Sequence, residues 1–286
     1  MIGKSSSTHA YTPQNISQLL AMMKKEPAAR LFAGGTYMVS RQRGKYLDLP
    51  KTLISLKNIE ELKRIGRTDR FVEIGSCVSI NQIITTGKNI LPAVLINALK
   101  QIGLPLVRNL ATIGGNICIP ERRLDSFPVL QLLNATVEIR KAGNARWVTL
   151  TRLIDENGAL LLDSGEVLTR IRIPFESWNV GEYMKLCRNP FDDENSLSFC
   201  ALVKLQKNII TEFKFGYGLI GAHILRNRDL DAELAGKKVP LSAKEEKYIF
   251  DLLQKTLKKE KYALSEYRIS EAVHLMKRFI HRISID

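Results

Sequence analysis

Apolar residues recur with helical spacing early in the chain: Ile16, Leu19, Leu20 and Met23 fall on one face, and Thr12-Pro13 offers an N-cap and a proline at the first helical position. That predicts a short amphipathic helix. "ARLFAG" then reads as a strand running into a turn at Gly34-Gly35, and "TLISL" and "FVEIGS" read as further strands separated by "KNIEELKRIG". A longer helical region covers roughly Ile80 to Ile102, interrupted near Gly87 and again before Pro92. Asp125 opens the helix "DSFPVLQLLN", and "ATVEIRK" with "ARWVTL" reads as a hairpin joined at Gly143-Asn144.

"EVLTRIRIP" alternates as a strand up to Pro174, and "FESWNVGE" reads as a linker. The stretch from Tyr183 to Gly221 is strand-rich with little helical period. The tail changes character. Ser242 with Glu245 forms a capping box ahead of Ile249, Leu252, Leu253 and Leu257, and a last helix carries Ile269, Ala272, Val273, Met276, Ile280 and Ile283 on one face. The order of elements is α+β, and strands followed by helices define a second domain whose boundary falls near Pro174 to Gly181.

Length and composition fit this picture. The 286 residues suffice for two domains, and a hydrophobic fraction of 45% supports a substantial core. The longest apolar candidate, around Ile90 to Val107, is broken by Asn97, Lys100 and Gln101, which argues against a membrane span. "MIGKSSSTHAYTPQ" has no apolar core like that of a secretory signal, so a cytoplasmic location is expected. Cys77, Cys118, Cys187 and Cys200 form no CxxC pair and read as buried free thiols. His9, His223, His274 and His281 give no HExxH, and no metal is expected.

A net charge of +14, with a pI near 9.7, raises the question of nucleic acid. The charge is spread along the chain, however. Its densest cluster, "LLQKTLKKEKY", reads as the solvated face of a helix, and aromatics make up only 7%. An acidic partner subunit would account for a basic surface equally well.

Two glycine pairs carry the candidate chemistry: Gly34-Gly35, followed by Thr36, and Gly114-Gly115, preceded by Thr112. Glycine after a strand admits φ > 0 and lets the backbone approach a ligand, so that consecutive N–H groups converge on an anion and a hydroxyl adds a donor. Neither pair matches GxGxxG or GxxxxGK[ST], which excludes the Rossmann and P-loop signatures. Each pair, taken alone, serves equally well as a tight turn.

With their surroundings, the pairs resemble something particular. "LFAGGTYMVSRQRGKYLDLPKTLISLKNIEEL", "FVEIGSCVSINQI", "RNLATIGGNIC", "EVLTRIRIP", "YMKLCRNPFDDE" and "SEYRISEAV" are similar, in order and over nearly the whole chain, to the FAD-binding subunit of the molybdenum hydroxylases, of the xanthine dehydrogenase and carbon monoxide dehydrogenase type. The resemblance implies an FAD-binding domain over residues 1–175, made of two α/β subdomains split near residue 60, and a smaller C-terminal domain of antiparallel sheet plus helices over 180–286. It implies that Leu31, Phe32, Ala33, Gly34, Gly35, Thr36, Tyr37 and Met38 wrap the FAD diphosphate. Thr112, Ile113, Gly114, Gly115 and Asn116 would close it from the other side. Asp125 would contact FAD hydroxyls, although as a plain helix N-cap it needs no ligand. Leu168, Cys118 and Ile119 would lie near the isoalloxazine, each being otherwise an ordinary core residue. Lys185 would stand at its pyrimidine end, where a cation favours the reduced flavin; otherwise it is a solvated strand lysine. Tyr37 departs from the small polar residue usual there.

The resemblance further implies a division of labour. A molybdopterin-containing large subunit and a [2Fe-2S] small subunit would be partners, with NAD+ or another carrier as electron acceptor, and no catalytic acid or base would come from this chain. The rival reading is a basic non-enzymatic scaffold or nucleic-acid-binding module with both glycine pairs as turns, or a degenerate FAD subunit.

Overall fold

The structure, a computed structural model, describes residues 8–42, 44, 48–120, 125–187, 196–218, 224–259 and 264–285. The "RNPFDDEN" part of the strand-rich stretch, His223 and the end of the "LLQKTLKKEKY" cluster lie outside these.

The chain begins with a small parallel sheet. Strands β1 (His9–Tyr11) and β2 (Arg30–Phe32) flank β3 (Thr52–Ser55), and helix α1 (Ile16–Lys25) crosses between β1 and β2. The helix starts three residues later than Thr12-Pro13 implies, because Asn15 is the residue whose side chain accepts the Gln18 N–H, at 2.9 Å. Ile16, Leu19 and Met23 form a core with Ile54, Leu56, Ile59 and Leu62, as the helical spacing requires. The paired glycines follow β2 and lead into the single turn α2 (Thr36–Ser40), so they lie at the carboxyl edge of the parallel strands.

A second sheet is wholly antiparallel, in the order β4 (Ile65–Arg67), β5 (Phe71–Gly75), β8 (Val167–Pro174), β6 (Thr136–Lys141), β7 (Asn144–Thr149). The β6–β7 turn is Ala142-Gly143, one residue earlier than the sequence suggests, since Gly143 takes the left-handed conformation with φ 80° and Asn144 already pairs with Lys141. Helices α3 (Ile80–Gly87) and α4 (Ala93–Lys100) and, after the exposed α5 (Pro105–Leu110), helices α6 (Ile113–Ile117) and α7 (Ser126–Leu132) contribute to one core with this sheet. Strand β8 opens on the seam between two cores: alternation sends Val167 into the first and Leu168 into the second.

The third sheet runs β12 (Ile224–Leu225), β11 (Ile209–Gly218), β10 (Leu197–Gln206), β9 (Val180–Leu186), all antiparallel. The linker stretch therefore ends at Asn179, and the strand begins within it. Tyr183, Cys200 and Leu202 pack into the core beneath α4 and α7. Met184, Phe199, Ala201 and Val203 point the other way, into a core closed by α8 (Arg228–Leu234), α9 (Ala243–Lys258) and α10 (Glu266–Ile283). A sheet covered on both faces explains why β10 is an almost unbroken apolar run. The Ser242–Glu245 capping box is formed. The thiols are less uniform than expected: Cys200 is buried, Cys77 and Cys118 are half-buried, and Cys187 is exposed.

Candidate functional site

The two glycine pairs look alike in sequence but sit in different surroundings. At the first pair the chain turns through Gly35, with φ 68°, beneath the Phe32 ring. A Cβ on Gly34 would stand 1.8 Å from the Leu110 carbonyl oxygen, so this loop is pressed directly on the backbone that leads into the second pair. Among the described residues, the N–H groups of Gly34, Gly35, Thr36 and Met38 have no acceptor. Four amide donors left open at a glycine turn on the carboxyl edge of a parallel sheet are what an anionic group needs.

The second pair is laced into the fold instead. Ile113 N–H donates to Val78 O, Gly114 N–H to Ser76 O at 2.9 Å, Gly115 N–H to Thr112 Oγ1 at 3.1 Å and Asn116 N–H to Thr112 O at 2.9 Å. The expectation of converging free amides therefore fails here; what remains for a ligand is the Thr112 hydroxyl proton and the Asn116 side chain. Gly114 is required by packing, since its Cβ would lie 2.6 Å from Ser76 Cβ. Gly115 is exposed, and its Cβ would meet only Thr112 Oγ1. Arg108 in the same motif is a fastener, its Nη1 donating to the carbonyls of Lys100, Ile102 and Gly103 at 2.7 to 3.0 Å.

A chain of polar contacts runs on from α6. Asn116 Oδ1 accepts the Ser126 hydroxyl. The neighbouring Asp125 occupies the N-cap position of α7 yet makes no side-chain cap bond, which sets aside its reading as a plain N-cap. Its backbone, at φ 59° and ψ −101°, is in a region that residues with a side chain rarely adopt. Its carboxylate accepts the Tyr183 hydroxyl at 2.5 Å and lies 3.2 Å from Lys185 Nζ. The Lys185 side chain is only 4% exposed, so it is no solvated strand lysine. Burial, then the charge and hydrogen bond of Asp125, hold the Tyr183 phenol well above its usual range.

Asn116, Asp125 and Lys185 are thus joined in one polar string, and Gly34 is brought against the start of the TIGGN segment. Phe32, Tyr37 and Met38 are half-buried around the first turn, and Cys118 and Ile119 are half-buried after α6. Leu168 lies in the second core, 4% exposed. Sequence reading missed Tyr183 and Ser126. Tyr183 was within reach of it, being two residues from Lys185 on a strand and so on the same face.

Open amides at a glycine turn, facing a second loop across a backbone contact, suit the pyrophosphate of a dinucleotide cofactor. The chain belongs to the family described as the FAD binding domain in molybdopterin dehydrogenase, which it matches over residues 5–176. It is an FAD-binding oxidoreductase component. It is 28% identical over 300 residues to an indole-3-acetaldehyde oxidase of Zea mays, covering 96% of this chain but only 21% of that one. It is 26% identical over 232 residues to the xanthine dehydrogenase FAD-binding subunit of Escherichia coli O157:H7, covering 79% and 78%. The fold matches a chain of the carbon monoxide dehydrogenase of Oligotropha carboxidovorans with a TM-score of 0.83 at 22% identity, over 98% of both. Among the described residues, no helix is long and apolar enough to cross a membrane.

Proposed function

We propose that the chain is the cytoplasmic flavoprotein subunit of a molybdenum hydroxylase, working beside a molybdopterin-containing large subunit and a [2Fe-2S] small subunit and delivering electrons to NAD+ or another acceptor. The division into an FAD-binding domain over 1–175, split near 60, and a C-terminal domain over 180–286 belongs to the same proposal and is supported by the three separate sheets. FAD bound here would supply the exchange between single electrons and electron pairs.

The residues fit that group. The backbone of Leu31 to Met38 would hold the diphosphate, with Gly34, Gly35 and Thr36 closest, and Thr112 and Asn116 would add side-chain donors from across the loop contact. Asp125 would accept cofactor hydroxyls beside the Tyr183 and Lys185 donors, because a carboxylate offers about four lone-pair sites. Cys118, Ile119 and Leu168 would shield the ring system from water, and Lys185 would present a cation to its pyrimidine end. The observation that carries this reading is the set of open amides at Gly34, Gly35, Thr36 and Met38. Titration of the purified chain with FAD, followed by flavin fluorescence, tests it. Saturable uptake supports the reading; salt-dependent DNA binding with no FAD uptake would favour the basic scaffold instead.

A further inference from the structure

We infer that helix α5 is a docking surface for a partner subunit whose contacting face has an apolar centre and an acidic rim. The inference rests on the reading above and deepens it, since it names where one subunit of that complex lies against this chain, at the margin of the cofactor cradle.

Helix α5 buries none of its residues. Leu106 is 78% and Leu110 62% exposed, and Leu104 and Val107 are exposed beside them. Leu106 and Leu110 are four residues apart, so they are neighbours on one helix face. The other large apolar side chains that are exposed stand apart from one another along the chain. Single ones of that kind need no explanation, whereas a contiguous group marks an interaction site. The leucines do not hold the helix in place. Arg108 does, through the bonds from its Nη1 to the carbonyls of Lys100, Ile102 and Gly103, and the apolar face is left for an outside contact. That face reaches the first glycine turn at Leu110, whose carbonyl oxygen is the atom on which Gly34 is pressed. The turn continues into α2, where Val39 is exposed as well.

Charge selects the occupant. Residues 27–47 and 74–120, the stretches that hold the turn and α5, contain no Asp or Glu but seven Lys and Arg. Lys100, at the end of α4, is exposed and makes no ion pair among the described residues. Carboxylates set around an apolar centre complement such a surface. A second copy of the chain would instead bring like charges together, because each copy carries +14. An anionic bilayer or a nucleic acid needs cations on the contacting element itself. The one cation of α5, Arg108, is turned inward.

The test mixes the full chain, loaded with FAD, with its purified molybdopterin and [2Fe-2S] subunits, and reads the mass of the complex by light scattering and its Kd by titration. Leu106→Glu is expected to weaken assembly at least about 10-fold, the effect of losing a buried apolar anchor. Leu106→Lys should weaken it less, since only the glutamate meets carboxylates. Tyr248→Glu, at an exposed site on α9, should assemble like wild type. All three variants should bind FAD as tightly as wild type by flavin fluorescence, because none changes a residue of the cradle. Unchanged assembly in Leu106→Glu, equal weakening by glutamate and lysine, an equal loss in Tyr248→Glu, or a wild-type chain that forms no complex would overturn the inference. Weaker FAD binding in Leu106→Glu would overturn it too, by making the patch part of the cofactor site. So would self-association, binding to phosphatidylserine vesicles or binding to DNA by the chain alone, if Leu106→Glu abolished it. A wild-type chain that takes up no FAD would overturn the functional reading, while the mass of the complex still decides the docking surface.

Discussion

Replacing Gly34 with alanine places a methyl group 1.8 Å from the Leu110 carbonyl oxygen, 2.6 Å from its carbon and 3.3 Å from Ala111 Cα. Contacts closer than 3.0 Å are essentially never seen for a real Cβ, and the obstacle is backbone, so no rotamer change relieves it. The two loops must part by more than about 1 Å, because backbone faces backbone there. Overpacking of this kind costs about 1–3 kcal/mol, and each kcal/mol lowers the melting temperature of a chain this size by about 2–4 °C. The effect on FAD should exceed the effect on stability. Displacing one or two amide donors from a diphosphate forfeits about 1.5–3 kcal/mol each, which is at least about a tenfold rise in Kd. Thermal unfolding with and without FAD separates the two effects, because ligand stabilisation follows RT ln(1 + [L]/Kd). A folded Gly34→Ala protein that binds FAD as tightly as wild type would refute the argument that this loop contact shapes the cradle.

Gly115→Val tests the other pair: the site is exposed and the added Cβ meets only Thr112 Oγ1 at 3.0 Å, so unfolding should change little while FAD uptake is lost. Unchanged affinity would show that the second pair does not touch the cofactor. Asp231, on α8, accepts the Phe215 N–H and an Arg226 hydrogen bond, but burial raises its carboxyl to about 6. A carboxyl raised on folding contributes stability below its unfolded value, near 4, and loses it as pH rises through the folded value. Measured by urea unfolding, wild type should therefore lose stability relative to Asp231→Asn between about pH 4 and pH 7, by up to roughly 3 kcal/mol. A flat difference would refute the assignment.

Local signals in the sequence translated well. The capping box at Ser242 and Glu245, the apolar face of α10 and the break before Pro92 all depend on residues within a few positions of one another. What was not legible depends on distant neighbours. Gly34 and Gly114 are indistinguishable as letters, yet one abuts the Leu110 carbonyl and the other Ser76. Asp125 reads as a helix cap, and only the packing of α7 over a strand some 60 residues later turns its carboxylate to Tyr183 and Lys185. Lys185 looked solvated because strand alternation assumes that one face is wet, whereas this sheet is covered on both.

The placement of β8 between β5 and β6 bears on how the chain is made. Strand β5 ends at Gly75 and its partner β8 begins at Val167, so at a synthesis rate of about 5–20 residues per second β5 waits on the order of 5–20 seconds with one edge unpaired. Val167 also completes the first core, which is therefore short of one apolar side chain until the same moment. The nascent chain thus exposes an open strand edge while its first glycine turn is already built, and that interval is when a chaperone or an early-folding partner would protect it from pairing with a neighbouring chain.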